Sequence, residues 1–105
     1  MKFITPARLK ELIDKKESIQ IIDTREPEKY ATAHIPGAIS IPQLELPGRM
    51  NEVEVDKTVI IYCLYGVKSE MVYIYLKDKL KIKNLFILEG GAYHYATEID
   101  PSLDV

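Results

Sequence analysis

Apolar and polar positions fall into blocks along the chain rather than alternating singly. Three runs rich in isoleucine, valine and leucine predict strands over residues 19–24, 58–63 and 84–90, and a shorter run predicts another over 39–42. The three longer runs are almost continuously apolar. Strands of this kind are typical of a sheet that is covered on both faces.

The segments between these strands carry charged residues between apolar positions at helical spacing. Thr5 followed by Pro6 has the pattern of an N-cap with proline at the first helical position, and it predicts a helix over 6–16. The other predicted helices are one or two turns from Pro27, an interrupted helix over 43–53, and helices over 68–80 and 92–98. The helix over 68–80 is expected to bury one broad face, formed by Met71, Val72, Tyr75, Leu76 and Leu80.

Helices and strands therefore alternate along the whole chain. This order predicts a mainly parallel central sheet with right-handed crossovers and flanking helices, which is a three-layer α/β sandwich. No linker or internal repeat is visible, so a single domain over residues 1–105 is expected. In such sheets, functional sites gather beyond the carboxyl ends of the strands. The stretches in question are 23–25, 63–69 and 89–91.

Composition narrows the possible functions. The 105 residues carry a net charge of −2 with acids and bases interspersed, which gives no basis for binding nucleic acid or a membrane surface. One cysteine and two histidines provide neither an internal disulfide nor a structural metal site. No signal peptide or membrane-length apolar run is visible. We therefore expect a soluble protein of a reducing compartment, the cytoplasm.

The only cysteine, Cys63, follows a predicted strand in the stretch "CLYGVKS", and it has two interpretations. A free cysteine is often a small buried hydrophobic residue. A tight loop leading into a helix would instead place Cys63 near a helix N-terminus, where the dipole and unpaired amides stabilise a thiolate. The neighbouring residues decide between these interpretations only in combination.

Each neighbour of Cys63 has both a functional and a structural interpretation. Gly66 allows positive φ, so the amides of residues 64–69 could turn inward as an anion-binding nest, or Gly66 could serve only the turn. Lys68 could add positive charge at the rim of such a nest, or it could simply point into solvent. Ser69 could cap the following helix, or it could bond a bound sulfur or oxyanion.

With this loop and three further motifs, the chain resembles single-domain rhodaneses, which are sulfurtransferases. The loop follows the family pattern Cys-x-x-Gly-x-[Arg/Lys]-[Ser/Thr]. The matching residues are Cys63, Gly66, Lys68 and Ser69 in the loop, Asp23 and Arg25 after the first core strand, "AHIPGA" at Ala33–Ala38, and Gly90, Gly91 and Tyr95. Four motifs in the family's order, spread over nearly the whole chain, make the resemblance specific.

The resemblance implies a rhodanese-like fold and a persulfide mechanism. The Cys63 thiolate would take a sulfane sulfur from thiosulfate or a similar small donor, and would pass it to cyanide or a thiol, including a thiol of an acceptor protein. The residues expected around the sulfur are Leu64, Tyr65, Gly66, Val67, Lys68 and Ser69. The resemblance implies no cofactor, no metal and no histidine as a general base.

Residues outside the loop are expected to support it. Asp23 is expected to accept hydrogen bonds from loop amides. Arg25 either attracts anions near the pocket or forms a structural ion pair with Asp23 or Glu89. Arg49 is expected to approach the site from the third helix, and His34 is expected to hold its turn by hydrogen bonds.

Two departures and three alternatives qualify the interpretation. Lys68 stands where many family members have arginine, so oxyanion recognition is expected to be looser. Leu64, Tyr65 and Val67 are apolar, which predicts an acceptor larger or more apolar than cyanide. The alternatives are a sulfur carrier, a regulatory binding module and a Cdc25-type phosphatase. The phosphatase is disfavoured because its loop has one more residue, whereas Lys68 stands five positions after Cys63.

Overall fold

The computed structural model describes all residues from 1 to 105. The strands are β1 (Phe3–Ile4), β2 (Ile19–Asp23), β3 (Ile39–Ser40), β4 (Thr58–Tyr62) and β5 (Leu85–Leu88). The α-helices are α1 (Pro6–Asp14), α2 (Pro27–Thr32), α3 (Ser69–Leu80) and α4 (Gly91–Glu98). Two 3₁₀ turns, Gln43–Gly48 and Met50–Glu52, stand where an interrupted helix is predicted. Pro47 lies inside the first of these turns, and it cannot donate the backbone bond that a continuous helix needs.

The five strands form one sheet in the order β1-β5-β4-β2-β3, and every neighbouring pair is parallel. This confirms the predicted α/β class with a parallel central sheet and flanking helices. The prediction missed β1, because a two-residue strand is too short to show a period. β1 is defined by its pairing, in which Phe3 lies opposite Ile87 of β5.

Both faces of the sheet are covered, as the continuously apolar strands predict. On one face, Val59 and Ile61 of β4 belong to a buried cluster that includes Val72 and Leu76 of α3. On the other face, a second buried cluster contains residues from both terminal helices as well as the sheet. Its members are Ile4, Leu9, Ile21, Ile35, Ala38, Ile60, Tyr62, Leu88, Ala92 and Tyr95. Successive residues of β4 therefore serve opposite layers.

The buried face of α3 differs from the predicted one. Met71 is 66% exposed, whereas Tyr73 is only 6% exposed. The buried residues of the helix are Ser69, Val72, Tyr73 and Leu76, which follow the i, i+3, i+4, i+7 pattern. The predicted stripe was wide and was centred on a different side of the helix, so it included the exposed Met71 and left out the buried Tyr73. No helix, α3 with its 12 residues included, has the length and apolar character needed to cross a bilayer.

Candidate active site

The carboxyl ends of β2, β4 and β5 meet at one edge of the sheet. The backbone amide and hydroxyl of Thr24, just after β2, both donate to the carbonyl of Tyr62, at 2.9 Å each. The amide of Ala92, in α4 after β5, donates to the carbonyl of Cys63 at 2.8 Å. The three unusual stretches of the sequence are thus brought into direct contact around the cysteine.

Cys63 lies one residue beyond β4, and its side chain is buried, with 4% exposure. The amide of Gly66 donates a hydrogen bond to the Sγ atom at 3.1 Å. Gly66 has a φ of +91°, and a Cβ there would lie 3.2 Å from the amide nitrogen of Gly90. The positive φ therefore favours glycine at this turn, and the absence of a Cβ also leaves room for the Gly90 backbone.

Most amides of the cysteine loop remain available. The amides of Leu64, Tyr65, Val67, Lys68 and Ser69 donate to no carbonyl or side chain of the protein. The loop leads directly into the N-terminus of α3, where helical amides also lack partners within the helix. Sulfur held here would face a set of free N–H donors, which is the environment that stabilises an anion.

Two glycines hold the start of α4 against the cysteine loop. Gly90 and Gly91 have φ values of +74° and +65°. A Cβ on Gly91 would lie 2.5 Å from the carbonyl oxygens of both Cys63 and Leu64. The amides of Ala92 and Tyr93 donate to these same carbonyls, at 2.8 and 2.9 Å. The pair therefore permits a close backbone approach, as expected from the sequence.

A buried polar network lies beneath the cysteine. Asp23 forms an ion pair with Arg25, whose Nη2 lies 2.7 Å from Asp23 Oδ2 and also donates to the carbonyl of Ala33 at 2.7 Å. The hydroxyl of Tyr62 donates to Asp23 Oδ2 at 2.7 Å and accepts from the amide of Ile35 at 3.2 Å. This network joins β2, β4 and the "AHIPGA" turn below the loop.

The electrostatics of this network shift the pKa values of Arg25 and Tyr62. Burial by itself would lower the pKa of Arg25, but the hydrogen bond and charge of Asp23 outweigh it, and the pKa is raised. Burial and the negative charge of Asp23 raise the pKa of Tyr62 far above its ordinary value. Arg25 therefore remains a cation and Tyr62 a neutral donor.

The network shows which partner Arg25 has. The structure shows the ion pair, and its partner is Asp23 rather than Glu89. Asp23 accepts the amide of Arg25 within its own loop at 2.9 Å, and it accepts none from the cysteine loop. Tyr62 was not predicted as part of the site. Its only signal was a hydroxyl at the end of a strand of apolar residues, next to the cysteine.

Ser69 does not cap α3. It is the first residue of the helix, Lys68 occupies the cap position, and no side chain there makes a capping bond. The Ser69 side chain is fully buried, and its Oγ has no hydrogen-bond partner. An unpaired buried hydroxyl costs about 1–3 kcal/mol, so such a group in a native protein needs an explanation, and a role in catalysis is one. This group lies at the base of the cysteine loop.

The outward side chains of the loop are exposed. Lys68 is exposed and belongs to no ion pair of the structure. Leu64 is half-buried, whereas Tyr65 and Val67 point into solvent. The ring of Tyr65 packs against that of Tyr93, with centroids 5.5 Å apart and planes tilted by 56°. The loop thus directs the Gly66 amide at Sγ and exposes the apolar side chains of Tyr65 and Val67.

Two other candidates lie outside the cysteine loop. Arg49 pairs with Glu45 at 3.1 Å and with Glu52 at 2.7 Å, and these acids raise its pKa. Its predicted approach to the cysteine loop stays a prediction. His34 donates from Nδ1 to the carbonyl of Tyr30 at 2.9 Å, and its ring stacks on Tyr30 at 3.8 Å. His34 therefore holds its turn, as expected.

Comparisons with known proteins agree on one family. The sequence model of the rhodanese-like domain matches residues 5–98. The thiosulfate sulfurtransferase GlpE of Pseudoalteromonas translucida is 33% identical over 90 residues, which cover 86% of this chain and 84% of GlpE. A Bacillus subtilis protein named as a sulfur carrier, YrkF, is 44% identical over 62 residues, 59% of this chain and 34% of YrkF. The crystal structure of a rhodanese-like domain protein from Staphylococcus aureus has a TM-score of 0.84 and 30% identity, covering 100% of this chain and 98% of that one.

Proposed function

The chain belongs to the rhodanese-like domain family, and we propose that it is a sulfurtransferase that carries sulfane sulfur as a persulfide on Cys63. The observation that carries this proposal is the cysteine loop itself. The Gly66 amide donates to Sγ at 3.1 Å, and five further amides of the loop have no protein acceptor. The sulfurtransferase name of GlpE supports the same reaction class.

The first half-reaction loads the cysteine. The Cys63 thiolate attacks the outer sulfur of thiosulfate or a related donor, and a new S–S bond forms as the sulfur–sulfur bond of the donor breaks. Sulfite leaves with two negative charges, and the persulfide keeps one. The free amides and the start of α3 stabilise the anion before and after this step.

Lys68 and Ser69 have separate roles in this proposal. The ammonium group of Lys68, exposed and unpaired, attracts the anionic donor to the loop. The Ser69 hydroxyl, buried without a partner, donates to the added sulfur or to a donor oxygen. Asp23, Arg25 and Tyr62 lie behind the cysteine and hold the end of β4 in place through their bonds.

The second half-reaction unloads the cysteine. A thiophilic acceptor attacks the outer sulfur of the persulfide, and Cys63 leaves as a thiolate. The protein returns to its starting state without a base, a metal or a change of net oxidation state. His34 and His94 are engaged with backbone carbonyls at 2.9 and 3.1 Å and take no part in the steps.

A sulfur carrier is the second candidate, and the similarity to YrkF favours it. A carrier would share the loading step and deliver sulfur to one protein only. A phosphatase would need the longer loop of that class, because a phosphoryl group is larger than a sulfur atom. Here Lys68 stands five positions after Cys63.

The test is to incubate the protein with thiosulfate and measure its intact mass. The wild type is expected to gain the mass of one sulfur atom, whereas Cys63→Ala gains nothing. Release of that sulfur by cyanide as thiocyanate would identify it as sulfane sulfur. If neither thiosulfate nor polysulfide loads the wild type, the proposal is wrong. Hydrolysis of an aryl phosphate that is lost in Cys63→Ser would indicate the phosphatase instead.

A further inference from the structure

Exposed apolar residues lie in the loop that carries Cys63 and in the segments beside it. We call it the apolar rim, and its residues are Leu44, Tyr65, Val67, Met71, Ile74 and Tyr93. Each of these side chains is more than half exposed. Single exposed apolar residues are ordinary, but a group beside a reactive site indicates an interaction surface.

The residues of the apolar rim are neighbours. The rings of Tyr65 and Tyr93 are in contact at 5.5 Å. Met71 and Ile74 lie three positions apart on one side of α3, and Val67 lies four positions before Met71 in the turn that leads into the helix, where its carbonyl accepts the Glu70 amide at 3.2 Å. Leu44 lies in the 3₁₀ turn whose Gln43, Leu46 and Pro47 line a pocket together with Met71. The rim therefore runs from the cysteine loop along α3 to this turn.

A pocket opens beside Met71, at one end of the apolar rim. It has a volume of about 190 Å³ and is lined by Gln43, Leu46, Pro47, Met71, Val72 and Tyr75. Four of these six lining residues are hydrophobic, and nothing charged faces the space. A pocket of this size accommodates one leucine- or phenylalanine-sized side chain. Interfaces commonly have such an anchor near the centre of the buried patch.

The size of the rim indicates what it binds. Six large side chains, each more than half exposed, offer on the order of 600 Å² of surface. A standard protein interface buries about 800 Å² on each partner. Cyanide or a small thiol would cover only a small part of the rim, whereas a folded partner would cover most of it.

The position of Cys63 connects this surface to sulfur transfer. Its side chain is 4% exposed, so an acceptor must press against the loop to reach the sulfur. The outward side chains that it meets are those of Tyr65 and Val67. An acceptor thiol on a protein would therefore bury the rim in the same encounter that transfers the sulfur.

Charge distinguishes a different partner from a second copy of this chain. Lys68 is exposed, forms no ion pair and lies between Val67 and the first turn of α3. A two-fold contact whose axis passes near Lys68 would bring the two ammonium groups together and would seal both cysteines. A partner that places a carboxylate opposite Lys68 avoids this repulsion.

We propose that the apolar rim docks an acceptor protein whose receiving cysteine lies beside a large apolar side chain and a carboxylate. This inference rests on the proposed sulfur transfer. In the docked complex, the acceptor thiolate attacks the outer sulfur of the Cys63 persulfide. The S–S bond to Cys63 breaks, the acceptor becomes a persulfide, and Cys63 leaves as a thiolate. No external oxidant or reductant is required.

Two synthetic peptides of equal length test the proposal. Both carry one cysteine next to an aspartate; one has phenylalanine three residues away, and the other has serine at that position. The protein is loaded with thiosulfate, and sulfur transfer to each peptide is followed by intact mass. The phenylalanine peptide is expected to react about ten-fold faster or more, because its ring enters the rim pocket.

Met71→Glu should remove that advantage by placing a charge in the pocket. Val55→Glu is the matched control, since Val55 is also exposed but lies before β4, at the opposite edge of the sheet. It should leave the ratio of the two rates as in the wild type. Equal transfer rates for the two peptides would overturn the proposal. It would also be overturned if Met71→Glu slowed sulfur transfer to cyanide as much as transfer to the phenylalanine peptide.

Two further measurements separate the remaining outcomes. Sedimentation shows whether the wild type is a dimer. If it is, and if Met71→Glu dissociates it, the rim is a contact between copies of this chain and the proposal is overturned. A protein that thiosulfate never loads would instead overturn the proposed function. In that case docking can still be measured with a labelled phenylalanine peptide in which serine replaces the cysteine. Fluorescence anisotropy then reports whether this peptide binds to the rim. No difference in binding between wild type and Met71→Glu would exclude docking.

Discussion

Gly91→Ala should separate the cysteine loop from α4 at a cost that the structure allows to be worked out. Gly91 has a φ of +65°, which an alanine adopts at a cost of about 1–2 kcal/mol. The added Cβ would lie 2.5 Å from the carbonyl oxygens of Cys63 and Leu64. These are backbone atoms, so the clash can be relieved only by moving one of the two segments.

That movement weakens two hydrogen bonds. The amides of Ala92 and Tyr93 now donate to the same two carbonyls, and each bond is worth about 1 kcal/mol net. Adding these bonds to the backbone cost, we expect Gly91→Ala to lower the free energy of unfolding by about 3–4 kcal/mol. This is a large part of the stability of a small domain, about 5–15 kcal/mol.

The chain offers a matched control at Gly37. Its φ is +86°, and a Cβ there would meet nothing within 4 Å, so Gly37→Ala carries the backbone cost without the clash. Urea unfolding of the two variants isolates the steric contribution, and Gly37→Ala should lose about 1–2 kcal/mol. Loading by thiosulfate should slow in Gly91→Ala alone, because only that variant displaces the loop carbonyls. Equal losses of stability in the two variants would refute the reasoning.

Three further changes test the groups around the cysteine. Tyr62→Phe should lower the free energy of unfolding by about 1–3 kcal/mol near neutral pH, because Asp23 and the amide of Ile35 lose a partner. Burial and Asp23 raise the pKa of Tyr62, so the stability that its hydroxyl contributes is present below the ordinary tyrosine pKa of about 10 and declines as pH rises above it. Urea unfolding at increasing pH should therefore show this decline in the wild type and not in Tyr62→Phe. The same pH dependence of unfolding free energy in both proteins would contradict the expectation. Ser69→Ala should leave stability unchanged or slightly higher, because its hydroxyl has no partner, while loading by thiosulfate falls about ten-fold or more; a loss of stability with an unchanged rate would assign Ser69 a structural role. Lys68→Ala should lower kcat/KM for thiosulfate and flatten its dependence on ionic strength, and an unchanged salt dependence would exclude steering by Lys68.

Features that repeat over short distances were predictable from the sequence. The apolar runs placed the three long strands to within one or two residues, and Thr5-Pro6 placed the start of α1. The continuous apolar character of the runs predicted a sheet covered on both faces. The spacing of residues in the cysteine loop, together with three distant motifs, identified the family.

Other features depend on segments that meet only in the folded chain. β1 exists because two residues pair with β5, and Met71 is exposed because of the side on which α3 meets the sheet. For Arg25 the sequence left anion attraction and an ion pair equally open, and the structure shows the ion pair with Asp23. Neither the spacing of apolar residues nor a short sequence motif specifies which side of a helix meets the sheet or which contacts form.

Sequence by itself determined the order of the elements, the type of sheet and the loop that carries Cys63. Periodicity, capping residues and glycine conformation are local properties, and they act before the chain folds. Tertiary structure decided that Tyr62 reaches Asp23 across 39 positions and that the Ser69 hydroxyl is buried without a partner. It also decided that exposed apolar residues of four segments lie in and beside the loop that carries Cys63. These outcomes follow from the packing of segments that are distant in the sequence, because that packing sets which side-chain atoms come within hydrogen-bonding distance and which remain exposed.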